Sequence, residues 1–174
     1  MHKTKLVIAA AICSAAMATG AAAADLFGST SAGAPLYGQP GFDWDGFYFG
    51  VQKGWWVGNS EFAFDAVAGA NFMVTDNVLV GIEGMAGLTT DFSSSAFEAF
   101  VRGRVGLLMA EDVLIYKVGE VGSVAGSGTW GLGGGIEFAA TDHLSARGEA
   151  RGVGALGGGL TDLVVSFGVL WHPN

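Results

Sequence analysis

The sequence predicts an all-β chain: an eight-stranded antiparallel up-and-down transmembrane β-barrel with short turns and a cleaved N-terminal signal peptide. Three observations predict it. The chain is 51% hydrophobic, yet no segment past the N-terminus reaches the roughly 18 consecutive apolar residues of a membrane-spanning helix. From Gly46 onward, apolar and polar residues alternate with the period of a strand. Three short segments that look alike, Thr75-Asp76-Asn77, Ala110-Glu111-Asp112 and Thr141-Asp142-His143, recur at about the spacing of one hairpin, each followed by an aliphatic residue.

The first 24 residues read as a signal peptide. Lys3 and Lys5 supply a basic start, Leu6 to Met17 an apolar core too short to span a bilayer, and Ala22-Ala23-Ala24 the small residues of a cleavage site. Cys13, the only cysteine, leaves with the signal, so no thiol, disulfide or cysteine metal site remains. Loss of Lys3 and Lys5 leaves six basic residues against 16 acidic ones, a net charge of −10. Nucleic-acid partners need a basic face and are excluded. Residues 25–43, rich in Gly, Ser and Ala and carrying Pro35 and Pro40, read as a flexible leader on the periplasmic side. Residues 44–174 are the barrel.

Eight strands are expected at 46–57, 62–74, 78–88, 96–109, 113–122, 128–139, 144–152 and 161–171. Most match the roughly 9–11 residues of a tilted transmembrane strand, and the even count is that of single-chain bacterial barrels. The three similar turns follow strands 2, 4 and 6 and share one end with the N-terminus. The other connections, 58–61, 89–95, 123–127 and 153–160, are short and rich in Gly and Ser.

Charges fall on one face of each strand. Glu83 opposes Val80 and Ile82; Glu98, Arg102 and Arg104 oppose Val101 and Val105; Arg147, Glu149 and Arg151 oppose Leu144 and Ala146; Asp162 opposes Val165 and Phe167; Asp65 shares a face with Asn71, and Glu137 with Gly131, Gly133 and Gly135. A soluble sandwich would turn the uncharged face inward, a membrane barrel outward, and phase alone does not choose. Two facts favour the membrane. The strand charges are sparse for a soluble surface. The uncharged faces carry aromatics near their ends, in two belts: Phe47, Phe49, Phe72, Phe138 and Trp171 near the turns, and Trp55, Phe62, Phe64, Phe97 and Trp130 at the opposite ends, as membrane girdles require.

The expected lumen network comprises Asp65, Glu83, Glu98, Glu137, Glu149 and Asp162 with Arg102, Arg104, Lys117, Arg147 and Arg151. Near-neutral balance in a lumen only wide enough for side chains predicts a plug of ion pairs rather than an open pore. Lys53 and Glu120 break the pattern by falling on the lipid face, where a bulge or snorkelling would be needed.

Several segments carry a resemblance. Trp44-Asp45-Gly46-Phe47-Tyr48-Phe49-Gly50-Val51, and Thr141-Asp142-His143-Leu144-Ser145-Ala146-Arg147-Gly148-Glu149-Ala150-Arg151, resemble the opening strand and a turn–strand unit of the small Gram-negative outer-membrane β-barrel proteins of the porin family. The resemblance covers essentially the whole chain after the signal. It implies an outer-membrane location, insertion by the barrel assembly machinery, contact with membrane lipid and lipopolysaccharide, a monomer, and a structural or surface role. The ending Trp171-His172-Pro173-Asn174 departs from that family's terminal aromatic.

Catalytic and cofactor chemistry is not expected. His143-Leu144-Ser145 is the one hint of a lipid A-modifying enzyme, but His143 lies in a turn at the wrong end. Gly131-Leu132-Gly133-Gly134-Gly135 lacks the Lys-Ser/Thr of a phosphate loop. His2, His143 and His172 form no metal cluster. The remaining alternatives are a narrow diffusion channel and a soluble lipocalin-like carrier.

Overall fold

The computed structural model describes residues 42–173. The expected signal peptide, and the leader up to residue 41, lie outside the described residues. Eight strands follow in order: β1 (Gly46–Trp56), β2 (Glu61–Met73), β3 (Val78–Thr90), β4 (Ser95–Ala110), β5 (Val113–Val124), β6 (Ser127–Ala139), β7 (Leu144–Ala155) and β8 (Asp162–Trp171). Each pairs antiparallel with the next, and β8 pairs back on β1 from Phe49–Trp171 to Trp56–Val164, which closes the barrel. Closure leaves no strand edge unpaired. The strands match the sequence expectation within three residues at either end. The differences mostly lengthen strands at the expense of loops: Thr89 and Thr90 pair with Ala96 and Ser95, and β7 runs on to Ala155 opposite Thr129.

Both chain termini of the described barrel and the three similar turns share one end, here called the turn end; the other is the loop end. Two of those turns are built alike, by threonine. Thr75 Oγ1 accepts from Val78 N at 3.1 Å, and Thr141 Oγ1 from Leu144 N at 3.1 Å, each tightening a backbone bond that closes the turn. At the loop end, β5 and β6 are joined by Ala125-Gly126 with φ of 52° and 80°, the two positive values of a type I′ hairpin.

The β3–β4 connection is organised by Asp91. Its Oδ1 accepts from the backbone N of Ser93 (2.9 Å) and Ser94 (2.7 Å) and from both serine hydroxyls. The backbone bond from Ser94, then those from Ser93, hold the carboxyl down at about 2, below the ~3.9 of an unfolded aspartate. The depressed value means that this loop's bonding is present above the unfolded value and lost as pH falls through about 2. An NMR titration of the Asp91 carboxyl in folded protein should therefore show a midpoint near 2. A midpoint at the ordinary aspartate value would mean that the serine bonds do not form in solution.

Candidate functional site: the filled lumen and the apolar outer face

In β2 to β4 and β6 to β8 the charged phase points into the barrel. Asp65, Glu83, Glu98, Arg102, Arg104, Glu137, Arg147, Glu149 and Arg151 are all buried inside. The ten aromatics singled out by sequence, Phe47, Phe49, Trp55, Phe62, Phe64, Phe72, Phe97, Trp130, Phe138 and Trp171, all lie on the opposite phase and face outward. The register brings them together by height. Phe49 pairs with Trp171 near the turn end, their rings 5.3 Å apart. Trp55 pairs with Phe62, and Phe64 with Leu88 beside Phe97, near the loop end. Between these levels the outer face is aliphatic or small: Ile82, Val101, Val105 and Leu132 are each more than half exposed.

The fifth strand corrects two expectations. Lys117, expected in the lumen, is exposed on the outer face, and Glu120, expected outside, is buried within. The cause is an irregularity in β4. Ala110 pairs with Val113 across the turn, but the next pair is Leu108 with Leu114, so Met109 is left over. One extra residue on one strand shifts the register by one and turns every β5 side chain to the other face. The shift sets Glu120 directly opposite Arg102. Asp162 is a third correction. It sits at the loop-end rim, where its Oδ1 accepts from Gly58 N at 2.6 Å and Leu163 N at 2.7 Å. It pins the β1–β2 loop and takes no part in the ion network. Lys53 faces outward as expected, its Nζ 5.1 Å from the Phe62 ring centroid and 5.5 Å from that of Phe64.

The interior is layered. Nearest the turn end, Trp44 packs with Leu79, Leu114, Tyr116 and Val118 and donates its indole N–H to the Glu111 carbonyl at 3.0 Å. Phe42 packs edge-on against Trp44 and His172, so the last residues of the expected leader are part of the barrel's packing. His172, past the end of β8, is buried and stacks on Tyr48. Above it, Ser145 donates to Glu137 Oε1 at 2.6 Å, and Arg104 donates to Glu137 Oε2 at 2.9 Å and to Asn71 at 3.0 Å. The Arg104 guanidinium lies between the rings of Tyr48 (4.8 Å) and Tyr116 (5.1 Å), a sandwich suited to its planar, weakly hydrated cation.

At mid-height Glu83 accepts from Tyr48 Oη (2.8 Å), Arg102 (2.5 Å) and Arg147 (2.6 Å). Arg147 also donates to Gln52 Oε1 at 2.6 Å, and Gln52 passes a bond on to Ser166 at 3.0 Å. Arg102 bridges Glu83, Glu149 and Glu120. Tyr116 Oη donates to Glu149 at 2.9 Å. Arg151 joins Glu149 and Glu120. Near the loop end, Trp56, Ala63, Val153 and Val164 form an apolar cluster. Four guanidiniums and the carboxylates around them thus fill the cross-section between two apolar layers.

The network's partners Tyr48, Gln52, Tyr116 and His172 were missed from sequence. Parity could have found Tyr48 and Gln52, which share Trp56's phase on β1, but an uncharged side chain on the charged phase does not announce a role. The lumen glycines were legible only as small. Each makes room for a neighbour: a Cβ at Gly69 would lie 2.5 Å from Tyr48 Oη, at Gly135 2.6 Å from Tyr116 Oη, and at Gly131 2.7 Å from Glu120 Oε1.

Six interior acids face four arginines, and the excess sits in one place. Asp65 and Glu98 flank Gly87 in the register. Both are buried, and neither forms an ion pair with a described residue. Adjacent buried carboxylates repel and are poorly solvated. Glu98→Gln should therefore stabilise the folded barrel by about 1–2 kcal/mol at pH 8, read as a higher urea midpoint in detergent. A lower midpoint would show that the charge at Glu98 has a stabilising partner.

The Glu137, Ser145 and His172 cluster does not have the geometry of a nucleophile relay. Ser145 Oγ lies 3.1 Å from His172 Nε2, and Glu137 approaches that same nitrogen at 3.5 Å, whereas a relay needs the acid on the other ring nitrogen. His143 is exposed in its turn.

Among solved structures, one reported under "De novo design of transmembrane beta-barrels" is similar to this chain, with a TM-score of 0.54 and 17% identity over 77% of this chain and 97% of the designed one. The likeness is one of fold: an eight-stranded, closed, antiparallel barrel. No family model matches the sequence, and no curated protein does.

Proposed function

We propose that this chain is an integral outer-membrane β-barrel of a Gram-negative envelope, structural or surface-presenting in role and without catalytic or cofactor chemistry. The observation that carries the proposal is the inversion of the soluble pattern. Arg102, Arg104, Arg147 and Arg151 are buried inside with their carboxylates, while Phe47, Phe97, Phe167, Val101 and Val105 are exposed outside. Contiguous apolar surface running around a protein is not tolerated in water, and a hydrocarbon solvent is the surrounding that suits it. The resemblance of the opening strand to porin-family barrels supports the same location. So do the signal-like segment 1–24 and the leader up to 43, which would enter the periplasm ahead of insertion by the barrel assembly machinery. The filled lumen favours a closed body acting as a monomer among lipid and lipopolysaccharide over a diffusion channel. The mature net charge of −10 leaves no basic face for nucleic acid.

The proposal is tested by fractionation. The protein should remain with membranes after salt and alkaline washes, dissolve only with detergent, and migrate faster on gels unheated than boiled. Release by osmotic shock in buffer would replace the proposal with a soluble carrier. Steady conductance of the purified, folded barrel in planar bilayers would replace the closed body with a narrow channel.

A further inference from the structure

The outer face carries a groove of about 480 Å³ across β8, β1 and β2. Lys53 lies in one row of it with Phe64 on one side and Phe167 on the other, directly paired in the register. The next row on that face, towards the turn end, is Ala66, Val51 and Val169. The trough therefore has an ammonium in its loop-end row and an uncharged, aliphatic row beneath it.

Lys53 is unusual on this surface. Of the six basic residues among those described, four are the buried arginines, and only Lys53 and Lys117 face outward. No described carboxylate forms an ion pair with Lys53; its ammonium is held instead over Phe62 and Phe64. A cation on the lipid face of a barrel is costly at the midplane and far less so near the interface. Lys53 stands three residues from the loop-end terminus of β1, level with the aromatic belt, where its ammonium reaches the headgroup layer. The adjoining loops, 57–60 and 156–161, are four and six residues long, so little overhangs it.

We infer that this groove is a lipid site, in which one acyl chain of a phosphorylated outer-leaflet saccharolipid lies along Val51, Ala66 and Val169 between Phe64 and Phe167, with a lipid phosphate on the Lys53 ammonium. The inference rests on the membrane reading above and narrows it. Phosphate is chosen by charge complementarity: an isolated ammonium at headgroup height pairs with an anion and donates to it. The leaflet follows from the loop end, which lies opposite the described chain termini and, on that reading, faces the outside.

The test uses the full barrel purified in an uncharged detergent, with bisphosphorylated lipid A as the probe and native mass spectrometry as the readout. One lipid per barrel is expected. Lys53→Gln should weaken binding roughly tenfold, the loss of one charge-assisted contact; Lys53→Arg should restore it, and Lys117→Gln should leave it unchanged. Lipid A stripped of its phosphates should bind the parent barrel as weakly as the intact lipid binds Lys53→Gln. Equal binding by parent and Lys53→Gln, or equal loss in Lys117→Gln, overturns the site. Phosphatidylglycerol binding as tightly as lipid A, with the same dependence on Lys53, overturns the choice of lipid. All variants should keep the heat-shifted gel migration. A parent barrel that shows no such shift and stays in aqueous fractions fails the membrane reading itself, a result distinct from any of these.

Discussion

Glu83→Ala should destabilise the folded barrel by about 3–5 kcal/mol, the cost of leaving a buried ion without its partner. No interior residue is more exposed to this cost. The Glu83 carboxylate sits between two guanidiniums, Arg102 at 2.5 Å and Arg147 at 2.6 Å, and also takes the Tyr48 hydroxyl. Arg102 keeps Glu149 and Glu120 when Glu83 is removed, but Arg147 retains only the neutral Gln52 among its bonded partners. The decisive comparison is a double variant, Glu83→Leu with Arg147→Met. Replacing a buried pair by apolar side chains of similar volume is often neutral, so this variant should recover most of the loss that Glu83→Ala alone causes. Equilibrium urea unfolding in detergent or lipid, followed by tryptophan fluorescence, gives both numbers. If Glu83→Ala lies within about 1 kcal/mol of the parent, water and salt ions solvate the arginines, and the lumen is wet rather than filled.

The strand count, the three turns and the inward phase of β2, β3, β4, β7 and β8 were legible because period-two patterning is a local property and each of those strands carries charge on one face only. β5 was not legible, and its failure is informative. It bears one charge on each phase, Lys117 and Glu120, so pattern alone gives no answer. The answer lies in the pairing of Leu108 with Leu114, a contact across the hairpin that no single-strand window contains. Once Met109 is left over, Glu120 lands opposite Arg102, and the ionic match holds the shifted register. Asp162 failed for a different reason. Its phase is inward, but its height in the barrel is the rim, and sequence phase carries no information about which partners lie at that height. His172 and Trp44 were hidden because the packing of the described chain ends against Tyr48, Tyr116 and Leu114 is a tertiary feature with no periodic signature.

That same distinction between local pattern and packing makes the glycines of β6 the place to test how the lumen is filled. Gly133→Ala adds a single methyl, improves strand propensity if anything, and would look harmless on a half-exposed residue. In the barrel its Cβ would lie 2.2 Å from the Ala150 carbonyl oxygen and 2.7 Å from both Cα and Cγ of Arg151. The first two of these are backbone atoms, which cannot swing aside as a side-chain tip can. Relief requires β6 and β7 to part locally, straining the Gly133–Arg151 pairing and pulling Arg151 from Glu120 and Glu149. Overpacking of this kind costs about 1–3 kcal/mol, and the lost ion contacts push the expected effect to the upper end, about 3 kcal/mol. Gly103→Ala is the matched control: it too replaces a strand glycine, but nothing lies within 4 Å of its added Cβ, and it should leave the unfolding midpoint at or slightly above that of the parent. A loss in Gly133→Ala no larger than that in Gly103→Ala would mean that β6 and β7 stand further apart than this packing requires. The tight interior from which the closed lumen is argued would then be wrong.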